Sequence, residues 1–323
     1  MTEAPARTGE APPIEVRGLV KRYGELTAVA GVDITVNVGD VYGYLGPNGA
    51  GKTTSLRMML GLIRPTEGSV ELFGRDPVKE GVRKALAGVA GFVEAPHFYP
   101  YLSAQKNMRL LADYDGGKAR GRIDELLDLV ELRDRAGDKV GGFSHGMRQR
   151  LGIAASLLRS PQLLLLDEPT TGLDPAGMRD MRALVKRLAG EGITVLLSSH
   201  LLGEVEELCN RVAIIRTGKI VYEGTLRDLL ATATTEYRLR PAEPERARMI
   251  ALAQRGVENV RAQDGELRFQ ADEETVAALS IALGQARIGV TMLAPETASL
   301  EELFLGMTGG ESGDKSPTRE EVA

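Results

Sequence analysis

The stretch Gly46-Pro47-Asn48-Gly49-Ala50-Gly51-Lys52-Thr53-Thr54 constrains this chain more than any other. It follows a short apolar run, Val41–Leu45, and opens onto a segment with helical spacing, Ser55–Ile63, that closes near Pro65. A strand, a G-x-x-x-x-G-K-[ST] loop and a helix in that order form a phosphate-binding loop. Each residue type has a physical role. Glycines let the backbone curl so that successive N–H groups point inward at an anion. The N-terminus of the helix adds its positive dipole end. Lys52 is expected to reach the β- and γ-phosphates of a nucleotide, and the Thr53 hydroxyl to ligate Mg²⁺.

The rest of the chain supplies the sheet that such a loop requires. Ile14-Glu15-Val16 and Val32–Val38 alternate with the period of half-buried strands. Leu163–Leu166 and Ile193–Leu197 are continuous apolar runs of the kind buried on both faces. Helical segments separate them, so residues 14–230 read as an α/β core with parallel strands. Within it, residues 96–160 carry no strand pattern. Ile123–Leu132 and Met147–Leu158 have apolar residues at helical spacing, which suggests a helical insertion. Beyond Leu230 the order changes. Strand Glu236–Arg240, helix Pro244–Arg255, strands Val257–Ala262 and Glu266–Gln270 around an Asp264-Gly265 turn, helix Glu273–Gln285 and strand Ile288–Leu293 follow one another. That β-α-β-β-α-β order is the split-βαβ, ferredoxin-like pattern of a small α+β domain, placed at residues 231–309. Ser299–Met307 reads as a closing helix with a capping-box start. Residues 1–13 and 310–323 read as a disordered leader and tail.

Composition excludes several function classes. With 43% apolar residues and 26% charged residues in 323, the chain can bury a core and is no disordered scaffold. Its net charge of −5 argues against nucleic acid as a partner. Cys209 is the sole cysteine, so neither an intrachain disulfide nor a cysteine-based zinc site is available, which favours a reducing, cytoplasmic setting. No apolar run approaches the roughly 20 residues that cross a bilayer, and the N-terminus shows no apolar signal core. A membrane function would need a second polypeptide.

Leu163–Leu166 runs into Asp167-Glu168-Pro169, placing two acids at the carboxyl end of a buried strand. Ligands of open α/β sheets bind at that edge. An acidic pair by itself also ends ordinary strands. Beside a phosphate loop, Asp167 is placed to hold Mg²⁺, through water, and Glu168 to act as general base toward an attacking water.

Phe143-Ser144-His145-Gly146-Met147-Arg148-Gln149-Arg150 opens the helix before that strand. It resembles the signature segment of ATP-binding cassette (ABC) ATPases, usually Leu-Ser-Gly-Gly-Gln. Ser144 and Gly146 are kept. His145 replaces the first glycine and Met147 the glutamine. Further positions carry the same resemblance over residues 14–230. Asp174 matches the D-loop, His200 the switch histidine that contacts the γ-phosphate, and Tyr23 the aromatic that stacks on adenine. Glu94 stands where the Q-loop glutamine usually meets Mg²⁺ and the lytic water. A carboxylate there adds negative charge near the metal, which implies tighter Mg²⁺ binding or altered coupling to a partner. Glu94, Phe98-Tyr99-Pro100-Tyr101-Leu102, Met147 and the Ser299–Gly309 ending resemble exporter ATPases of the bacitracin-resistance and daunorubicin types.

The resemblance implies a P-loop NTPase of the ABC type that hydrolyses ATP with Mg²⁺. It implies a homodimer in which each nucleotide lies between one copy's phosphate loop and the other copy's Ser144, His145, Gly146 and Met147. ATP-driven closure would be passed to a separate membrane permease, docked near Glu94–Leu102, with the chain peripheral on the inner face of the cell membrane. The C-terminal domain would serve dimer contact or regulation, and the permease would choose the substrate. The competing reading is a soluble, non-transport ABC ATPase of translation or DNA maintenance. Such proteins commonly carry fused cassettes or long coiled coils, and this chain has one cassette and no sustained heptads. A P-loop kinase or GTPase has no use for Ser144-His145-Gly146.

Overall fold

A computed structural model describes residues 11–114, 116–231, 236–263, 265–296 and 300–308. The expectations for residues 1–10 and 310–323, and for Asp264 and Ser299, lie outside them. The chain divides into two compact units, Met1–Leu226 and Arg227–Ala323.

The first unit holds strands β1 (Ile14–Tyr23), β2 (Leu26–Val36), β3 (Val41–Leu45), β4 (Glu67–Glu71), β5 (Val89–Phe92), β6 (Leu163–Asp167), β7 (Thr194–Ser199), β8 (Arg211–Arg216) and β9 (Lys219–Thr225). Its helices are α1 (Lys52–Met59), α2 (Val82–Ala85), α3 (Ala104–Tyr114), α4 (Ile123–Leu129), α5 (His145–Leu157), α6 (Pro175–Gly190) and α7 (Leu202–Leu208). The strands form two sheets. One is antiparallel, in the order β2-β1-β4. The other has six strands in the order β5-β6-β7-β3-β8-β9, parallel from β5 to β8, with β9 antiparallel at the edge.

The four leucines of β6 are fully buried, as expected for a strand covered on both faces. Leu56, Met58 and Met59 of α1 share one core cluster with Val16 and Ile34 of the antiparallel sheet and with Tyr42, Leu163 and Leu196 of the parallel one. Burying each such side chain is worth about 1.5–3 kcal/mol. Helix α1 is thereby wedged between two sheets, and the loop before it inherits that rigidity. Between β5 and β6, among the described residues, the chain forms only helices and turns, apart from an isolated bridge between Ser103 and Lys139.

Helix α8 (Leu226–Ala231) starts at the last residue of the first unit and leads into the second, which comprises β10 (Glu236–Pro241), α9 (Pro244–Ala253), β11 (Glu258–Gln263), β12 (Glu266–Gln270), α10 (Glu273–Gln285), β13 (Val290–Glu296) and α11 (Leu300–Thr308). Its strands lie in the order β11-β12-β10-β13, all neighbours antiparallel. That order is the split-βαβ arrangement. Tyr237, Leu239, Leu267 and Phe269 project from the sheet onto Ala247, Ala251, Leu279 and Leu283 of the helices. Asp272 caps α10, its carboxylate accepting the Thr275 N–H at 2.7 Å.

Leu165→Ala in β6 removes a fully buried side chain of the first unit's core. It is expected to cost about 2–5 kcal/mol, read as a lower denaturant midpoint in equilibrium unfolding.

Candidate active site

Gly46 carries the chain off the carboxyl end of β3. A Cβ there would stand 2.4 Å from the Ile215 carbonyl oxygen, so only glycine passes. Gly51, at φ +108°, precedes α1, and a Cβ on it would stand 2.5 Å from the Ala28 oxygen. No side chain caps α1. The first-turn N–H groups therefore remain as donors, the arrangement in which helix N-termini take phosphate. Lys52 is only 5% exposed. Its Nζ donates to the carbonyl oxygens of Gly46 at 2.7 Å and Pro47 at 3.3 Å, and lies 3.2 Å from Glu168 Oε1.

Asp167 closes β6 beside Ser198 of β7, its partner in the parallel register. Its Oδ2 accepts from the Thr53 hydroxyl at 2.9 Å and its Oδ1 from the Ser198 hydroxyl at 2.5 Å. A hydroxyl and a carboxylate are hard oxygen donors that suit Mg²⁺. Among the described residues no group of three or more His, Cys, Asp or Glu gathers for a metal.

Glu168 has φ +47°, a left-handed backbone uncommon outside glycine. Its N–H is held by Ser198, through Oγ at 3.0 Å and the carbonyl at 3.2 Å. Three groups face its carboxylate. The Thr171 hydroxyl donates to Oε2 at 2.9 Å, His200 Nδ1 lies 3.1 Å from Oε2, and Lys52 faces Oε1. Burial pushes the Glu168 carboxyl up, but Thr171, Lys52 and His200 together outweigh burial and hold it below the usual value. It is ionised at neutral pH and able to accept a proton.

Behind this group, Glu204 of α7 is buried. Its Oε2 accepts from the Ser199 hydroxyl at 2.6 Å. Burial pushes its carboxyl above the usual value, only partly offset by hydrogen bonds from Ser199 and Thr170.

The other sequence-predicted residues lie around this cluster. Glu94 has φ +67°, and its carboxylate forms an ion pair with Arg57 of α1. A cleft of about 300 Å³ is lined by Thr53, Glu94, His145, Gln149, Asp167 and Glu168. Ser144 is exposed and caps α5, its Oγ accepting the Met147 N–H at 3.2 Å. Gly146 follows half-buried. His145 turns toward its own chain, with Nε2 3.1 Å from the Thr171 carbonyl oxygen. Asp174 caps α6, accepting the Gly177 N–H at 2.8 Å. Tyr23 ends β1 at 48% exposure, with Lys21 Nζ 5.0 Å from its ring centroid. Among the described residues no hydrogen bond or ion pair joins Ser144, Asp174 or Tyr23 to Lys52, Asp167 or Glu168.

Sequence reasoning missed Ser198, Thr171 and Gln149 as contributors. Ser198 was findable. A hydroxyl residue near the end of a buried strand, directly in register with a strand-end acid, has a carboxylate as its partner.

Residues 29–171 match the family profile described as ABC transporter. The bacitracin transport ATP-binding protein BcrA of Bacillus licheniformis is 38% identical over 299 residues, covering 92% of this chain and 97% of that protein. The daunorubicin/doxorubicin resistance ATP-binding protein DrrA of Streptomyces peucetius is 36% identical over 311 residues, 94% of each. A solved dimeric ATP-binding cassette in a post-hydrolysis state, bound to ADP and Pi, aligns with a TM-score of 0.60 at 26% identity. It covers 66% of this chain and 99% of that one.

Glu204 supplies a pH test. The folded state raises its proton affinity, so the unfolded chain loses that proton first as pH rises past about 4.5. Folding stability from this group declines from there upward. Glu204→Gln, which keeps an acceptor for Ser199, is expected to raise the thermal midpoint relative to the parent chain more at pH 8 than at pH 4.

Proposed function

The chain belongs to the family of ABC transporter ATP-binding proteins, and from that premise we propose that it is the motor subunit of an exporter of the antibiotic-resistance type. It binds and hydrolyses ATP with Mg²⁺. The observation that carries the proposal is the convergence of Lys52, Thr171 and His200 on the ionised Glu168 carboxylate, next to an Asp167 held by Thr53.

In this reading the triphosphate lies along residues 46–54, its oxygens taking the N–H groups of α1 and the Lys52 ammonium. Thr53, and Asp167 through water, would hold Mg²⁺, which would supply neutralisation of phosphate charge. An incoming anion competes with Glu168 for Lys52 and His200. Drawing the Lys52 ammonium toward the phosphates weakens the pull that lowers the Glu168 carboxyl and so raises its basicity, as a general base needs. His200 then bridges Glu168 and the γ-phosphate, and Tyr23 stacks on adenine. Ser144, exposed at the start of α5, is available to a triphosphate on a second copy. Two copies thus enclose two nucleotides, and closure is favoured because ATP contacts both halves only when they meet.

No helix among the described residues is long and apolar enough to cross a membrane, so transport needs a separate permease. A groove of about 530 Å³ supports its docking place. Phe92, Val93, Pro96, Phe98, Leu111 and Tyr114 line it between β5 and the helical insertion. Apolar and aromatic linings of this kind suit a partner helix. The chain then works on the cytoplasmic face of the membrane. The names of BcrA and DrrA support an antibiotic-like cargo, selected by the permease, and the second unit serves dimer contact or regulation.

Glu168→Gln is expected to leave ATP affinity unchanged while turnover falls by about 10²–10⁴, with a closed dimer accumulating in size-exclusion chromatography. Lys52→Ala is expected instead to weaken a labelled ATP analogue by about tenfold or more, or ~1.4 kcal/mol. Normal steady-state turnover in Glu168→Gln removes it from the general-base role. In the groove, Leu111→Glu is expected to abolish co-purification with the permease while leaving the free chain's ATPase intact.

A further inference from the structure

The turn that follows Glu168 carries a hydroxyl on which that carboxylate leans. Burial pushes the Glu168 carboxyl up, and the largest of the contacts that hold it down is the Thr171 hydroxyl, which donates to Oε2 at 2.9 Å. Residues 168–174 form neither helix nor strand. Pro169 and Thr170 are buried, but Thr171 and Gly172 stand exposed. Exposed turn backbone moves readily unless another element fixes it. Within the turn, the Thr171 N–H donates to the Glu168 carbonyl at 3.1 Å and the Leu173 N–H to the Thr170 carbonyl at 3.2 Å. Those bonds shape the turn without tying Thr171 to a neighbouring element.

The start of α5 supplies the tie. His145 Nε2 lies 3.1 Å from the Thr171 carbonyl oxygen. A carbonyl only accepts, so Nε2 carries the hydrogen and donates it. The His145 ring also lies against Gly172, 3.5 Å from where a Cβ on that glycine would stand. Gly146 brings α5 so close that a Cβ on it would stand 3.4 Å from Leu173 Cδ2. The first two residues of α5 are thus seated on three consecutive residues of the turn. Thr171 carries two bonds at once, accepting from His145 at its carbonyl and donating to Glu168 from its hydroxyl. Threonine is stiff at χ1, so holding its backbone places its hydroxyl. The glycine that His145 replaces would offer no side-chain donor.

Resting on the reading of Glu168 as the general base of an ATP site, we propose that His145 is a positioning residue for hydrolysis in its own subunit, holding Thr171 so that the Glu168 carboxylate stays aimed at the attacking water. His145 exchanges no proton with the substrate. It acts on the base of its own chain, whereas Ser144, one residue earlier, serves the nucleotide of a second copy.

His145→Leu in the full-length chain tests this by removing the donor while keeping a side chain. Turnover is expected to fall by about tenfold, while the affinity of the free chain for a labelled ATP analogue stays at the parent's value. Added to Glu168→Gln, the same substitution is expected to leave the ATP-dependent closed dimer intact in size-exclusion chromatography, because closure reads the contacts between copies. His145→Gln, whose Nε2 amide donates at similar reach, is expected to recover most of the lost turnover. His145→Ala is the second donor-free variant should leucine disturb α5. Parent-like turnover in whichever donor-free variant folds overturns the proposal. Loss of the closed dimer together with turnover also overturns it, assigning His145 to the second copy's nucleotide instead. A glutamine variant as slow as the leucine one overturns the hydrogen bond as the cause. A parent chain that neither binds the analogue nor turns over ATP overturns the ATP-site reading along with this one, whereas any of the other three results beside an active parent overturns this one only.

Discussion

The Asp167 carboxylate ties the site together. It is gripped from both sides, by the Thr53 hydroxyl of α1 and by the Ser198 hydroxyl of β7. Three elements meet on one acid, and each is fixed elsewhere by burial. β6 and β7 are central strands of the parallel sheet, and α1 is wedged between two sheets by Leu56, Met58 and Met59. Ser198 then holds the Glu168 N–H in its left-handed backbone and turns that carboxylate toward Lys52 and His200. Non-glycine backbone at positive φ costs of order 1–3 kcal/mol and persists where the surroundings over-determine it. Here they do, and the strained turn separates two adjacent acids into two roles, one facing Thr53 and the other facing Lys52, Thr171 and His200.

The cluster is electrostatically poised. Glu168 sits below the usual carboxylate range because Thr171, Lys52 and His200 outweigh its burial. In the proposed function a triphosphate draws on the same Lys52 ammonium, so the base strengthens when substrate is present. The neighbouring Glu204 has the opposite character, buried with its proton affinity raised, and it holds Ser199 next to His200.

Much of this was legible in residue order. The phosphate loop, the Asp167-Glu168 pair after four leucines and the β-α-β-β-α-β order of the C-terminal unit rest on short-range rules that tertiary packing left intact. Other parts were not. β1 runs to Tyr23, yet only Ile14–Val16 reads as a strand, because Gly18 at φ +54° makes a bulge and shifts the alternation so that Leu19 and Val20 are both buried. The β8–β9 hairpin turns through Thr217 and Gly218, both at positive φ. Thr-Gly is a weaker hairpin signal than Asn-Gly or Asp-Gly. Thr171, Gln149 and Arg57 entered the site through the fold. Nothing in their local spacing says that they meet a carboxylate or a cleft assembled from residues far apart in the chain.

The central claim of the account is that each nucleotide is completed in trans, by Ser144 of a second copy. A heterodimer of one Lys52→Ala chain with one Ser144→Arg chain, both in the Glu168→Gln background, tests it by counting occluded ATP. Sites shared between copies place both defects in one site and leave the other whole, so one ATP per dimer is predicted. Sites complete within each copy would both be broken, and a heterodimer that occludes no ATP would contradict the account.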